Sequence, residues 1–598
     1  MNPTLAVLLA FVASPAPNPR PAPVVKPLAN YTLRVDSTDL SGWTIEIRVR
    51  NVSDTFRLAM AAHPEYDDRY WRYVTGFTAA SDAGVATWTK ADSAVWQVVA
   101  PPGVVRVTYR IALPPAEPGP RPAWRPFLTP TGGLVGGPHA FMYLLGAERL
   151  PVTVTLDLPR SWQIATGLDT TRDARTFTAA NADALIDSPV LAGHLRQWRF
   201  VAAGVVHRIV YWPLPDATPF DTVAFVAGVE AVARQAVALF GSTPYRAYTF
   251  QLQDGARGGL EHRNSVSLGA RSSELARDPR ALLPETAHEF FHTWNLMQIR
   301  PVEYRSLDYR TQPPATSLWF SEGLTMFYAD LLLRRAGVRV QDSTRTAHLE
   351  RLLGRYLTSP AYSRFSAEAV SRVAYNAEPG ALGDYSASTH LQGEILGTML
   401  DLIIRDATGG RRSMDDVMRL LFTQSTSSPG IDGHAIEQAV ETVCGCDVTP
   451  FFDAYVRNAG TLDVSRYLGL MGLDLGVTWA PAVYNGEPER DLRIFGWDSP
   501  TGLRVVISDP ASAWGKAGLH SRDRLVTIDG APVATWPELR TRLQRTRLGD
   551  TVRVEVQRST GPFVATVVVT QIERPTVHVT PIANVSAAQR RVAQAWGS

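Results

Sequence analysis

The strongest constraint on this 598-residue chain is the run H-E-F-F-H at His288–His292. On an α-helix, side chains four residues apart lie on one face, so both imidazoles can reach one metal ion. Glu289 follows the first histidine and is placed to act as general base toward an attacking water. Pro284 and Glu285 suit the first turn of such a helix. The run predicts a zinc helix, although two histidines buried on a core helix would give the same letters.

A catalytic zinc needs a third protein ligand, and the segment 317–333 contains a candidate. The segment is apolar nearly all round, which predicts a buried helix. A carboxylate inside such a helix is costly unless it is bound to metal or paired with a cation. Glu322 is therefore the predicted third ligand, and pairing with an arginine is the alternative. The set His288, His292 and Glu322 predicts one Zn²⁺ per chain.

These segments resemble the glycyl aminopeptidase family of zinc peptidases. The resemblance rests on His288–Asn295, Ile299–Pro301, Leu318–Gly323, Leu185–Val190, Gly258–His262 and the C-terminal segment. It implies a thermolysin-like catalytic domain between an N-terminal β domain and a C-terminal PDZ domain. It also implies release of small N-terminal residues such as glycine or alanine. The spacing from His292 to Glu322 is longer than in thermolysin and fits this family.

The same resemblance implies how a peptide is held. The run Gly258, Gly259, Leu260, Glu261 and His262 occupies the place of the Gly-x-Met-Glu-Asn edge strand of alanyl aminopeptidases. Glu261 would then pair with the free α-ammonium of the substrate, and the glycines would let the backbone approach closely. Taken without that resemblance, the run is only a turn that leads into a strand.

The transition state also needs a donor to the oxyanion. Relatives carry a tyrosine in a Tyr-Tyr-x-Lys-Gly-like segment, whereas this chain has T-H-L-Q-G at Thr389–Gly393. His390 is the predicted replacement, since thermolysin uses a histidine for this task, and Tyr385 is the competitor. The alternative for His390 is an ordinary histidine on a helix surface.

Two classes of function follow. The first is a zinc aminopeptidase with Glu289 as general base, and an endopeptidase of the same fold is the runner-up. The second is a PDZ peptide-binding protein with weak or no catalysis. The intact ligands and base favour an enzyme, while the altered segment at His390 keeps the second class open. The expected partners are peptide or protein substrates.

Length predicts several domains, and the strand and helix patterns with the family resemblance imply a multidomain α+β protein. At 598 residues the chain exceeds one core, and 45% apolar with 19% charged residues is typical of a soluble globular protein. A net charge of +2 gives no reason to expect nucleic acid. The predicted parts are a signal peptide with a Pro-rich linker at 1–27, an N-terminal β-sandwich at 28–175, a thermolysin-like catalytic domain at 176–465 and a PDZ domain at 475–575.

Local patterns carry these divisions. Period-two alternation broken by Gly and Pro from about residue 30 to 159 is typical of antiparallel strands. The apolar run Leu5–Ala13 has the length of a signal-peptide core, although no basic residues precede it. It predicts a periplasmic or secreted protein. No other segment is predicted to be long and apolar enough to span a membrane.

The C-terminal pattern of strands and turns resembles a bacterial, permuted PDZ domain. Gly502, Leu503, Arg504 and Val505 are predicted as the loop whose backbone amides hold a peptide carboxylate. Packing against the catalytic domain without a ligand is an equal alternative.

The chain's two cysteines, Cys444 and Cys446, flank one glycine. They form either a tight, labile bridge or two buried thiols, and neither state gives them a predicted catalytic role.

Overall fold

A computed structural model of the chain describes residues 29–51, 54–61, 69–115, 119–305, 309–311, 313–338, 342–375, 380–428, 430–499 and 502–597. The signal peptide predicted at 1–27 lies outside these residues. The described chain forms an N-terminal β-rich domain, a central domain of one sheet and many helices, and a C-terminal β domain. The predicted multidomain α+β fold is confirmed.

The N-terminal domain is built mainly of strands. They are β1 (Ala29–Asp36), β2 (Asp39–Asn51), β3 (Thr55–Met60), β4 (Val74–Ser81), β5 (Thr87–Asp92), β6 (Val95–Val99), β7 (Gly103–Ala112), β8 (Arg121–Pro122), β9 (Phe127–Thr129), β10 (Gly132–Val135), β11 (Met142–Leu144), β12 (Val152–Asp157), β13 (Gln163–Thr166), β14 (Asp169–Thr170), β15 (Thr176–Ala179) and β16 (Val190–Gly193). Two short helices, α1 (Gly137–Ala140) and α2 (Ala182–Ile186), join them.

The principal sheet of this domain has the order β14-β15-β12-β1-β2-β7-β4. Its pairs are antiparallel except β1 with β12, which is parallel. Two four-stranded sheets, β13-β16-β10-β9 and β11-β3-β6-β5, accompany it. The alternation predicted from the sequence is visible in β2, where Trp43, Ile45 and Ile47 are completely buried in the core.

The N-terminal domain ends later than predicted. Strand β15 pairs with β12, and β16 pairs with β10 and β13, so both belong to the N-terminal sheets. The boundary therefore lies near Gly193 rather than at residue 175. Strands β15, β16 and β17 follow one another with only the short helix α2 between β15 and β16, so the amino-acid composition does not change at the boundary. The sequence therefore contains no signal for it.

The central domain begins with one mixed sheet. Its strands are β17 (Arg196–Ala202), β18 (Val205–Trp212), β19 (Ala247–Asp254), β20 (Ala256–Arg257), β21 (Gly259–Glu261) and β22 (Ser265–Ala270). The order is β17-β18-β19-β22-β21, with β18, β19 and β22 parallel and β21 antiparallel at the edge. Strand β20 pairs instead with β8 of the N-terminal domain.

Helices make up the rest of the central domain. They are α3 (Thr222–Phe240), α4 (Ser272–Arg277), α5 (Leu283–Phe291), α6 (Leu318–Arg335), α7 (Arg345–Thr358), α8 (Ala367–Arg372), α9 (Thr389–Thr408), α10 (Met414–Gln424), α11 (Gly433–Cys444), α12 (Thr449–Phe451) and α13 (Val464–Leu468). The run predicted as a buried helix is α6, whose buried residues face several directions around its axis. Helix α11 is followed by Gly445 at φ +64°, and this turn lets Cys444 and Cys446 form a disulfide.

Helix α3 corrects the expectation about membrane spans. By length and composition it is apolar enough to cross a bilayer, although about half of it, 44% of the apolar window, is buried inside the protein. Phe225, Val229 and Val232 lie in the same core as the sheet and α5. The helix therefore supplies core packing to the central domain.

The C-terminal domain is a second β structure. Its strands are β23 (Leu473–Pro481), β24 (Val483–Tyr484), β25 (Glu487–Pro488), β26 (Ile494–Ser499), β27 (Gly502–Ile507), β28 (Arg524–Ile528), β29 (Ala531–Pro532), β30 (Thr551–Arg558), β31 (Gly561–Val568) and β32 (Glu573–Pro581). Its helices are α14 (Ala513–Lys516), α15 (Trp536–Gln544) and α16 (Ala587–Gly597). The main sheet has the order β26-β27-β28-β30-β31.

One prediction about this domain needs correction. Gly502–Val505 lies in β27, paired with β26 along its length and with β28 at Arg504, and is therefore a strand and not a carboxylate-binding loop. The segment after the main sheet connects the domain to the central core. Strands β23 and β32 form a ribbon, after which α16 places Val592 and Trp596 in the central core.

Candidate active site

Helix α5 carries the first two predicted metal ligands. The Nε2 atoms of His288 and His292 are 3.1 Å apart, so the two imidazoles converge as the i, i+4 spacing requires. His292 Nδ1 lies 2.9 Å from the carbonyl oxygen of Asn295. A proton on Nδ1 donates to that carbonyl and leaves the Nε2 lone pair free for a metal. Burial lowers the pKa of His288 to about 4, which favours the neutral imidazole that ligates metal.

Glu322 on α6 joins the two histidines. Its Oε2 atom lies 3.7 Å from His288 Nε2 and 3.3 Å from His292 Nε2. Glu322 is 4% exposed, and although burial opposes ionisation, His292 and His390 hold its pKa well below the usual range. The structure therefore brings together the three side chains predicted as ligands.

A close helix crossing places Glu322. A methyl group at Gly323 would lie 2.3 Å from the Cα of Gly393, and one at Gly393 would lie 1.8 Å from the carbonyl oxygen of Trp319. Only glycine allows α6 and α9 to approach this closely. The residues beside this crossing, Glu322 on one helix and His390 on the other, consequently meet at the histidines.

His390 reaches the site, as predicted for an oxyanion donor. Its Nε2 lies 3.1 Å from Glu322 Oε2, and its ring stacks at 5.7 Å from that of His288. Burial alone would lower the pKa of His390, but the Glu322 carboxylate raises it. The side chain is 44% exposed and stands at the mouth of the site. Tyr385 packs edge-on against Phe365, with the ring centroids 5.5 Å apart.

Asn295 connects the end of α5 to α6 through hydrogen bonds. Its Nδ2 group lies 3.2 Å from the carbonyl of Phe320, 2.9 Å from that of Ser321 and 3.1 Å from Thr325 Oγ1. The same residue's carbonyl holds His292. Asn295 is fully buried, so it fixes the two ligand-bearing helices relative to each other.

Glu289 lies between the zinc helix and the edge strand β21. A methyl group at Gly259 would come within 2.4 Å of Glu289 Cγ, so a side chain there would displace the carboxylate. Gly259 was predicted to permit close approach of backbone to substrate, and in the structure the close neighbour is Glu289. Burial, with Glu261 beside it, raises the pKa of Glu289 well above its usual range.

Glu261 on β21 lies beside this carboxylate. Carboxylate oxygens of Glu261 and Glu289 and a ring nitrogen of His292 all lie within 4.8 Å of one another. Burial raises the pKa of Glu261, and Glu322 adds to this while His292 opposes it. Three buried carboxylates therefore surround two histidines, and a cationic occupant would relieve their mutual repulsion.

A cavity opens on the Glu261 side of the site. We call it the amine-side cavity; it is lined among others by Trp124, Glu261, His262, Leu296 and Tyr375, and it has a volume of about 930 Å³ including its mouth. His262, predicted to bind substrate, places Nδ1 3.3 Å from Asp187 Oδ1. Gly258 has φ +73°, a conformation that glycine adopts without strain, at the turn into β21.

The donor set fits a zinc ion. A tetrahedral ion with donor bonds of about 2.0–2.1 Å has donor–donor edges of about 3.3–3.4 Å. The three measured edges are 3.1, 3.3 and 3.7 Å. Two neutral imidazole nitrogens and one carboxylate oxygen are also the donor types of catalytic zinc sites.

Sequence reasoning missed Tyr375. Its hydroxyl donates a hydrogen bond of 2.7 Å to Glu322 Oε1, the oxygen that does not face the histidines. A tyrosine in an irregular segment between α8 and α9 has no periodicity or motif that would have indicated this contact.

Three domain models match the chain. They are the peptidase M61 N-terminal domain over residues 30–194, the M61 glycyl aminopeptidase domain over 282–394 and a PDZ domain over 474–568. Comparison with curated proteins gives no match. The glycyl aminopeptidase match contains His288, His292, Glu322 and His390.

A solved structure shares the fold over most of the chain. An aminopeptidase N family protein from Idiomarina loihiensis is 22% identical and gives a TM-score of 0.75, covering 95% of this chain and 100% of that chain. An M1 zinc metallopeptidase from Deinococcus radiodurans is 15% identical with a TM-score of 0.48, covering 73% of this chain and 94% of that one.

Asn295→Ala tests the support of the donor set. Loss of its hydrogen bonds to α6 should weaken zinc binding by about 10–100-fold, because such outer contacts orient the ligands. Competition with a chromogenic chelator measures the affinity. Asn458→Ala is the matched control, since its side chain bonds an exposed carbonyl, that of Asp453, away from the site. Equal zinc affinity in Asn295→Ala and wild type would contradict this role.

Proposed function

From the matches of the peptidase M61 N-terminal domain to residues 30–194 and of the M61 glycyl aminopeptidase domain to residues 282–394, we propose that this chain is a zinc-dependent aminopeptidase that releases small N-terminal residues. The observation that carries the proposal is the convergence of Glu322 with His288 and His292, beside the two carboxylates of Glu261 and Glu289. Ligands, base and amine anchor then occupy one buried site.

His288, His292 and Glu322 would hold the zinc ion, one per chain. When bound, zinc supplies Lewis-acid polarisation of the scissile carbonyl and lowers the pKa of the attacking water. Tyr375 keeps one oxygen of Glu322 hydrogen-bonded, which leaves the other directed at the histidines. Asn295 holds the imidazole of His292 in the ligating orientation.

Glu289 moves the proton. Its carboxylate takes a proton from the attacking water and passes it to the nitrogen of the leaving amine. The raised pKa of this buried carboxyl, caused by desolvation and then by Glu261, suits a group that must both accept and release a proton.

Glu261 receives the free α-ammonium of the substrate. The carboxylate is buried at the edge strand and faces the amine-side cavity. A blocked N-terminus carries no charge there and would leave Glu261 unpaired, which favours exopeptidase over endopeptidase activity.

His390 stabilises the oxyanion. Its Nε2 is on the side of Glu322 that faces the histidines, and a proton there can be donated to the developing negative charge. Tyr385 remains the competing donor, since it is near His390 in sequence and lines the same opening.

The preference for glycine or alanine comes from the family resemblance. Aminoacyl p-nitroanilides of glycine, alanine, leucine and phenylalanine would rank the preference. Periplasmic or secreted location, from the N-terminal apolar run, belongs to the same proposal.

The general base is tested by Glu289→Gln. The variant should bind zinc as wild type does and lose about 10²–10⁴-fold in kcat on glycine p-nitroanilide, because proton transfer is removed and the ligands are not. Metal content and initial rates measure the two effects. Glu230→Gln on α3 is the control for an acid-to-amide change in a helix away from the site. Undiminished turnover would refute the mechanism.

The amine anchor is tested with paired peptides. Wild type should cleave a peptide with a free N-terminus and leave its N-acetylated form intact. Glu261→Ala should lose about 2–5 kcal/mol of transition-state stabilisation for the free peptide, from the lost charge pair. Values of kcat/KM for both peptides measure this. Equal cleavage of the acetylated peptide by wild type would favour an endopeptidase instead.

The oxyanion donor is decided by two substitutions. His390→Phe should lower kcat about 10²–10³-fold with little change in KM, since one donor to the transition state is lost. Tyr385→Phe should stay close to wild type. His434→Phe, at a side chain that is 76% exposed on α11, is the matched control. The reverse pattern would assign the oxyanion to Tyr385.

A further inference from the structure

A second opening lies beside His390, which groups with His288 and Glu322, whereas Glu261 groups with Glu289 and His292. It is a cleft between residues 370–375 and 380–390 of the central domain and strands β26 and β27 of the PDZ domain, with a volume of about 910 Å³ including its mouth. We call it the PDZ cleft. His390 and Tyr385 line this cleft, whereas Glu261 lines the amine-side cavity. Tyr375 lines both, so the Glu322 site lies where the two openings meet.

The PDZ wall of the cleft is apolar. Phe495 on β26 pairs with Val506 on β27, and Trp497 follows two residues later on the same face of the sheet. This face is opposite the PDZ core, which contains Ile494 and Leu503. Trp497 is 45% exposed, a large aromatic surface without a covering layer inside a cleft.

The opposite wall mixes apolar and polar side chains. Val370 on α8, with Val373 and Leu382 between α8 and α9, contributes its apolar part. The two walls together offer pockets for apolar side chains and present few charges to a bound chain.

Direct contacts hold the two walls together. The Asp384 carboxylate accepts hydrogen bonds from the backbone N–H of Ser521 at 2.6 Å and from His520 Nδ1 at 2.7 Å. A methyl group on Gly380 would lie 2.8 Å from Ser521 Cβ, so the domains touch there. The PDZ domain is thereby fixed beside the mouth of the active site.

A peptide bound for cleavage has one direction to follow. Its α-ammonium lies at Glu261 and its first carbonyl at the zinc ligands, so the rest of the chain must leave on the side of His390. That side opens into the PDZ cleft.

We infer that the PDZ cleft binds the residues that follow the scissile bond, with apolar side chains packed against Phe495 and Trp497. The inference rests on the proposed aminopeptidase function and adds a substrate class to it, peptides with apolar residues after the cleaved bond. The PDZ domain then takes part in substrate selection through the face of its sheet that carries Phe495 and Trp497.

The test compares a long substrate with a short one. An extended pentapeptide is about 17 Å long and reaches beyond the scissile bond, whereas glycine p-nitroanilide does not. For Gly-Ala-Phe-Leu-Ala against glycine p-nitroanilide, the ratio of kcat/KM should fall about tenfold in Trp497→Ala, because a buried aromatic contact is lost for the long substrate alone. Gly-Ala-Ser-Ser-Ala should show a smaller ratio in wild type and little effect of the substitution.

Trp479→Ala is the matched control, since Trp479 is 49% exposed on the β23–β32 ribbon and does not line the cleft. It should leave the ratio at the wild-type value. An unchanged ratio in Trp497→Ala, or an equal fall for both substrates, overturns the inference.

A binding measurement separates the inference from the proposed function. Calorimetric titration of Gly-Ala-Phe-Leu-Ala into zinc-loaded Glu289→Gln requires no turnover. Adding Trp497→Ala should raise Kd about tenfold, for the same loss of aromatic contact. An unchanged Kd overturns the inference even where catalysis is intact. Failure of the proposed function shows differently, as absence of zinc-dependent release of glycine from both substrates by wild type.

Discussion

The crossing of α6 and α9 at Gly323 and Gly393 is the contact on which the rest of the site depends. Glycine in a helix interior lowers helix stability by about 1 kcal/mol relative to alanine, and both helices contain such a glycine at the crossing. The gain is backbone contact without intervening side chains, shown by the 1.8 Å that a methyl at Gly393 would have from Trp319 O. Glu322 directly precedes Gly323, and His390 lies one helical turn before Gly393. The crossing places Glu322 Oε2 3.1 Å from His390 Nε2.

Charge balance sets what this arrangement can hold. Glu261, Glu289 and Glu322 are buried together, and isolated carboxylates in that position would be strongly unfavourable. Without a metal ion, burial alone would lower the pKa of His292, but Glu322 and then Glu261 raise it to about 10, so a proton on this imidazole offsets part of the charge. A divalent ion at the histidines would take the place of that proton, and an ammonium at Glu261 would balance the remaining carboxylates. The charges of these side chains therefore already favour binding of both a divalent metal ion and an ammonium group.

The sequence predicted those parts that local spacing determines. His288 and His292 converge because of helical periodicity, and Glu322 was identifiable because a carboxylate in an apolar helix requires a partner. Tyr375 could not be found in this way, since its contact with Glu322 depends on the path of an irregular segment. The PDZ loop prediction failed for a related reason: Gly502 resembles a loop glycine, yet the hydrogen bonds to β26 make its segment a strand. Whether such a segment is a strand or a loop depends on its pairing with distant strands, and that pairing cannot be read from a single sequence.

The position of the PDZ domain depends on contacts between residues that are far apart in the sequence. Asp384 joins it to the segment that leads directly into α9, and α9 begins at Thr389, one residue before His390. A shift of the PDZ domain would therefore act on the segment that leads to His390 as well as on the wall of the cleft. Because α16 returns to the central core beyond the PDZ domain, the chain holds that domain at both of its ends. Attachment at two ends and the contact at Asp384 restrain the PDZ domain beside the cleft, and such preorganisation lowers the entropy cost of binding a peptide there.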